Sequence, residues 1–134
     1  MPPAIFRSFS AQEQEDSNMT TRIYHNPRCS KSRETLSIIE ETTEDVDIIE
    51  YLQDVPSAEE LDELCTLLGA EPLEIIRTKE DRFKELGLSK RDERSREDWL
   101  KLMVENPILI ERPIVVRGGK AVMGRPPENV FEIL

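Results

Sequence analysis

Histidine occurs once in this chain and cysteine twice. His25, Cys29 and Cys65 fall short of the four nitrogen and sulfur ligands of a structural zinc site, which argues against a fold held by that metal. The two cysteines lie 36 positions apart, so they form neither a disulfide framework nor a ligand pair with metal spacing. Long apolar runs are also missing. None approaches the roughly 18 to 20 residues that a membrane helix needs, and the opening MPPAIFRSFSAQEQEDSN lacks the apolar core of a signal peptide. A cytoplasmic protein without membrane contact is expected. Basic residues are in deficit, 18 against 28 acidic ones, for a net charge of -10. Such a balance disfavours nucleic acid and anionic lipid as partners.

The 134 residues suit one compact domain and are too few for two ordinary ones. Residues 1–18 mix Pro, Ser, Gln and acidic side chains without a period, and read as a disordered extension or as an upstream start ahead of a natural beginning at Met19. The domain is then 19–134. Arg22 to His25 reads as a strand, Asn26-Pro27 as a breaker, and a helix capped by Ser30 or Ser32 follows to about Glu41 with Leu36, Ile38 and Ile39 on its apolar face. Val46 to Tyr51 reads as a largely buried second strand, parallel to the first. Pro56-Ser57 starts a helix that runs to Gly69, and shorter helices are expected over 72–77, 81–86 and 95–105. Cys65 and Trp99 are expected to pack in the core, and the mixed charges of 79–98 to form a solvated surface. Strands over 113–116 and 120–123 flank Arg117-Gly118-Gly119, a hairpin signal, and 126–134 reads as a closing helix. This order predicts an α/β fold: a thioredoxin-like mixed β-sheet flanked by helices, with a helical insertion before the C-terminal β-hairpin.

Cys29 sits where a strand gives way to a helix. Main-chain N–H groups and the helix dipole at such a point stabilise a thiolate, and Arg28, Lys31 and Arg33 add positive charge within four residues. His25 is a further cation or hydrogen-bond partner if the turn folds it back toward the sulfur. The same N–H groups can hold an oxyanion. A phosphotyrosine-phosphatase loop would place five residues between cysteine and arginine, whereas three separate Cys29 from Arg33. A dithiol oxidoreductase would carry a second cysteine where Ser32 stands. A monothiol site is left, whose disulfide chemistry must be completed by an external thiol.

Five separated motifs resemble the glutaredoxin-coupled arsenate reductase family: HNPRCSKSR at 25–33, IIRTK at 75–79, ELGL at 85–88, NPILIERPIVV at 106–116 and GRPPE at 124–128. The resemblance implies that Cys29 attacks arsenate while Arg77, Arg112 and Arg125 hold the oxyanion, with His25, Ser32 and Arg33 supporting the thiolate. It implies a cis bond between Arg112 and Pro113, no bound cofactor or metal, glutathione as cosubstrate and glutaredoxin as partner. Arginine suits the task, being always protonated and able to present paired donors to an oxyanion. Two departures bear on substrate choice: Arg28 stands at a position the family does not hold fixed, and the chain stops at Leu134, where some arsenate reductases carry a further tail. Two other readings stay open. One is a regulator resembling the Spx transcription factors, which bind RNA polymerase. The other is a monothiol oxidoreductase acting on glutathionylated proteins.

The acidic balance itself is uneven. Residues 34–76 hold fourteen acidic and no basic side chains, while 22–33 hold four basic and no acidic ones. With screening over about 8 Å at physiological ionic strength, a local cationic site coexists with the overall charge. A small oxyanion beside Cys29 is therefore compatible with an acidic protein.

Overall fold

The computed structural model describes residues 20–43 and 45–134. The extension expected over 1–18 lies outside the described residues. β1 (Thr21–Tyr24) leads through the Cys29 loop into α1 (Ser30–Thr42) and then β2 (Val46–Ile49), which pairs parallel to β1. Five helical pieces follow: α2 (Ala58–Leu68), a 3-10 turn (Pro72–Ile75), α3 (Asp81–Glu85), α4 (Arg96–Glu105) and a second 3-10 turn (Pro107–Leu109). β3 (Ile114–Arg117) and β4 (Lys120–Met123) then form the hairpin, and a 3-10 helix (Pro127–Glu132) closes the fold. The strand order is β2-β1-β3-β4, with β3 antiparallel to both neighbours. This is the expected mixed sheet with a helical insertion.

Alternation along the strands divides the core into two layers. Ile23 of β1 and Val115 of β3 point to the side of α1, where they meet Ile39 and Val130. Their neighbours Tyr24 and Ile114 point the other way, onto Leu61, Leu64, Cys65, Trp99 and Met103 of the insertion. Trp99 stacks on Phe83 with ring centroids 6.5 Å apart, so the two residues pin α4 against α3. Cys65 is fully buried, as its place on the apolar face of α2 requires. Among the described residues no helix is long and apolar enough to cross a membrane.

Several local expectations need correction. The first strand is 21–24, with His25 already in the loop. The second ends at Ile49 and is not largely buried: as the sheet's outer strand it leaves Asp47 and Ile48 exposed, while Tyr51 lies in the following turn. Neither Ser30 nor Ser32 caps α1. Cys29 itself occupies the cap position, in extended conformation and without a side-chain cap bond. The closing segment is a short 3-10 helix over Pro127–Glu132, with Pro127 at its first position. By contrast, Ser57 and Ser95 cap α2 and α4 by accepting from Glu60 N and Asp98 N, and Gly118 and Gly119 turn the hairpin with φ of 58° and 74°.

Candidate active site

The register of the sheet explains why distant residues meet. Tyr24 pairs with Ile49 and with Ile114, and Ile114 pairs with Met123. These four form one row at one edge of the sheet. Immediately beyond that row lie Cys29 after β1, Tyr51 after β2, Arg112 before β3 and Arg125 after β4. The carboxyl ends of the two parallel strands thus open on the site, the usual place for a ligand in a sheet of this kind.

Cys29 is partly exposed at the head of α1. Arg125 Nη1 stands 3.8 Å from its Sγ and also donates to the Arg112 carbonyl at 3.2 Å. Burial pushes the thiol up. That effect is outweighed by the main-chain N–H of Ser32, the Arg112 guanidinium and the main-chain N–H of Lys31, so the thiol lies below its ordinary value. For Cys65 nothing comparable offsets burial, and its thiol is pushed up to about 11. One cysteine is activated and the other is silenced.

Arg112 and Arg125 each precede a cis proline, at Pro113 and Pro126, the first as the resemblance implies. Their loops are clamped to α1. Gly124 N donates to Pro113 O at 2.9 Å, and Thr35 Oγ1 donates to Gly124 O at 3.2 Å. A Cβ at Gly124 would stand 2.7 Å from Thr35 Oγ1 and 2.8 Å from Pro113 Cγ, so only glycine lets the Arg125 loop approach this closely. Sequence reading missed Gly124 because nothing in the GRPPE string reveals what its α-carbon faces.

Arg77 stands further back. Its guanidinium pairs with Glu80 and, at 3.6 Å, with Glu111, and its main-chain N–H is anchored on Leu109 O at 2.7 Å. With Thr78, Lys79 and Arg125 these residues line an open cleft of about 350 Å³. The structure therefore brings Arg112 and Arg125 to the sulfur and places Arg77 in the cleft beside Arg125, partly neutralised by two carboxylates.

His25 is buried, and its Nδ1 lies 2.7 Å from Ser32 Oγ, which also accepts from Asn26 N at 3.0 Å. Burial lowers its basicity. Glu50 and Glu40 oppose this and Arg33 adds to it, so the ring is neutral near pH 7. Of the two roles open to His25, a cation or a hydrogen-bond partner at the sulfur, the hydrogen bond shown here goes to Ser32. His25 and Ser32 instead fasten the loop that presents Cys29. Arg33 donates to Pro27 O at 2.9 Å and braces the same loop from outside. Asn26, read from the sequence as part of a breaker, accepts from Arg28 N at 3.0 Å and shapes the turn. Tyr51, assigned to a strand, has its ring in the core within electrostatic reach of Arg112, Arg77 and Cys29, which sequence reading missed.

This arrangement can do two things at once. It holds a thiolate at a helix N-terminus, and it surrounds that thiolate with fixed guanidinium donors suited to a tetrahedral oxyanion. Comparison with known proteins agrees with that chemistry. The model of the ArsC family matches residues 24–133. The arsenate reductase of Haemophilus influenzae is 45% identical over 117 residues, covering 87% of this chain and 100% of that one. YfgD of Escherichia coli, an uncharacterized protein, is 48% identical over 114 residues, covering 84% of this chain and 95% of its own. The solved structure of an arsenate reductase from Vibrio cholerae superposes with a TM-score of 0.82 at 49% identity, covering 87% of this chain and 98% of that one. A thioredoxin-like fold, a site at the sheet edge and these relatives lead to one assignment: the chain is a member of the ArsC family of arsenate reductases.

Proposed function

We propose that the protein reduces arsenate to arsenite, with Cys29 as nucleophile and glutathione and glutaredoxin as electron donors. The observation that carries this reading is the placement of the Arg112 and Arg125 guanidinia on a Cys29 thiol already lowered by the head of α1. Arsenate docks against Arg112, Arg125 and Arg77. The Cys29 thiolate attacks arsenic, an As–S bond forms, and one oxygen leaves as water after protonation. Glutathione thiolate then adds to the arsenic of this adduct. Collapse forms the S–S bond between Cys29 and glutathione, and the electron pair released from the As–S bonds reduces arsenic from the pentavalent to the trivalent state. Two thiols are oxidised to one disulfide and one arsenite departs. Glutaredoxin thiolate next attacks the glutathione sulfur, freeing Cys29 and carrying the glutathionyl group away. His25, Ser32 and Arg33 support the thiolate by holding its loop. Both donors are kept reduced in the cytosol, which is where this reading locates the protein.

The test is arsenite formation by the full chain with arsenate, glutathione and glutaredoxin, each omitted in turn. Turnover that requires all three is expected. Turnover indifferent to glutaredoxin overturns the donor assignment, and none under any combination overturns the activity. Deglutathionylation of protein substrates without arsenate turnover favours the monothiol oxidoreductase instead, and binding to RNA polymerase in place of either activity favours the Spx-like regulator.

A further inference from the structure

Among the described residues, three buried side-chain polar atoms have no hydrogen-bond partner in the protein, Arg22 Nε, Tyr51 Oη and Arg112 Nε, and the last two belong to residues within electrostatic reach of Cys29. Of those two, Tyr51 Oη is the more informative. Tyr51 is 1% exposed and its ring belongs to the insertion-side core with Ile114, Ile75 and Ile76, so the phenol is fixed in place by packing. Ile49 accepts from His25 N at 2.8 Å, which ties the end of β2 to the start of the Cys29 loop and sets Tyr51 against that loop from below. The Asn26 side-chain amide approaches the phenol oxygen as a donor, so the phenol's own proton is left without an acceptor. Arg112, Arg77 and Cys29 all lie within electrostatic reach of the hydroxyl.

A buried hydroxyl left without a partner is costly, and folds rarely retain one without a use for it. The contrast with the other buried tyrosine is direct. Tyr24, equally enclosed, donates to Glu60. We propose that the Tyr51 hydroxyl is a further substrate-binding group, donating a hydrogen bond to an oxygen of the tetrahedral oxyanion held by Arg112, Arg125 and Arg77 beside Cys29. The inference rests on the arsenate reductase reading and adds a neutral donor to it. Burial raises the phenol above its ordinary value, more than Arg112, Asn26 and Arg77 lower it, so the proton stays in place for donation throughout the neutral range. Arginines alone bind any small anion. A neutral donor at a fixed point inside the guanidinium cluster adds shape, since it is satisfied only by an oxygen that reaches it.

The experiment compares wild type, Tyr51→Phe and Tyr24→Phe as full chains. The readouts are steady-state arsenate reduction, the arsenate-induced rise in melting temperature, and the melting temperature of the free protein. Tyr51→Phe is expected to raise KM for arsenate by about 10- to 100-fold, the worth of a hydrogen bond to a charged acceptor, with kcat and KM for glutathione unchanged. The melting rise caused by arsenate should shrink with it, while the free variant melts no lower than wild type. Tyr24→Phe should do the reverse, losing stability while keeping its KM. A KM for Tyr51→Phe within twofold of wild type overturns the inference and leaves the arsenate reading intact. So does a lowered melting temperature in the free variant, which would make the hydroxyl a structural group. Absence of arsenate turnover and of arsenate-induced stabilisation in wild type overturns both.

Discussion

Arg125 Nη1 reaches Cys29 Sγ at 3.8 Å while donating to the Arg112 carbonyl at 3.2 Å, so one guanidinium joins the proposed nucleophile to the loop that carries the second arginine of the proposed anion site. Lysine, with one compact charge, cannot reproduce the forked donor geometry. Arg125→Ala is expected to lower kcat for arsenate about 100-fold, the scale for loss of one fixed donor to a reacting oxyanion, with Arg125→Lys in between. Arg82→Ala is the control: it removes an exposed side chain paired with Glu85 and Asn106 and should leave turnover unchanged. Steady-state arsenite formation checks the series.

The lowered thiol of Cys29 has a direct kinetic reading. Between its depressed value and the ordinary thiol value of about 8.5, Cys29 is thiolate while a free cysteine is still protonated. Its alkylation rate should therefore level off at lower pH than that of glutathione measured alongside. Arg112→Ala should move the profile to higher pH, because the main-chain donors of Ser32 and Lys31 remain but the guanidinium is gone. Cys65 should resist alkylation until the protein unfolds.

Gly124 tests how tightly the anion site depends on the clamp to α1. Gly124→Ala forces its new methyl onto Thr35 and Pro113, at a cost of about 1–3 kcal/mol for overpacking. Because Arg125 is the next residue, arsenate affinity should fall along with stability. Urea unfolding and arsenate-induced stabilisation measure the two effects. Unchanged affinity in a destabilised variant would show that Arg125 is positioned independently of the clamp.

The buried pair of His25 and Ser32 makes stability depend on pH. The folded histidine is less basic than the unfolded one, so the unfolded state takes up the proton first. The contribution is full above the ordinary value of about 6.5 and is lost as pH falls through the lowered folded value. Wild type should lose more unfolding free energy between pH 7.5 and 5.5 than His25→Gln does. Ser32→Ala strips the partner from both His25 Nδ1 and Asn26 N, and should cost about 2 kcal/mol or more at pH 7.5.

Much of this was legible in the sequence, for identifiable reasons. Hydrophobic periodicity marked the long helices, the Pro56-Ser57 signature marked the start of α2, and paired glycines marked the hairpin, because each is a local signal with a local cause. The strand-loop-cysteine-helix string pointed to the reactive thiol, and family motifs pointed to Arg77, Arg112 and Arg125. Features set by tertiary approach were not legible. Tyr51 looked like one more strand residue, Gly124 like part of a proline-rich motif, and His25 stayed open between cation and hydrogen-bond partner until its burial, which lowers its basicity, was known. The exposure of β2 followed from its place at the sheet's rim, which strand order alone determines.

The central claim is that Cys29 carries the glutathione disulfide formed when arsenate is reduced. It is tested most directly by the mass of the full chain, with peptide mapping, after arsenate and glutathione are added without glutaredoxin. The account predicts one glutathionyl group on Cys29 in step with one equivalent of arsenite, removed when glutaredoxin is supplied and absent from Cys29→Ser. Arsenite formed by Cys29→Ser at the wild-type rate, or a glutathionyl group on Cys65 in its place, would contradict it.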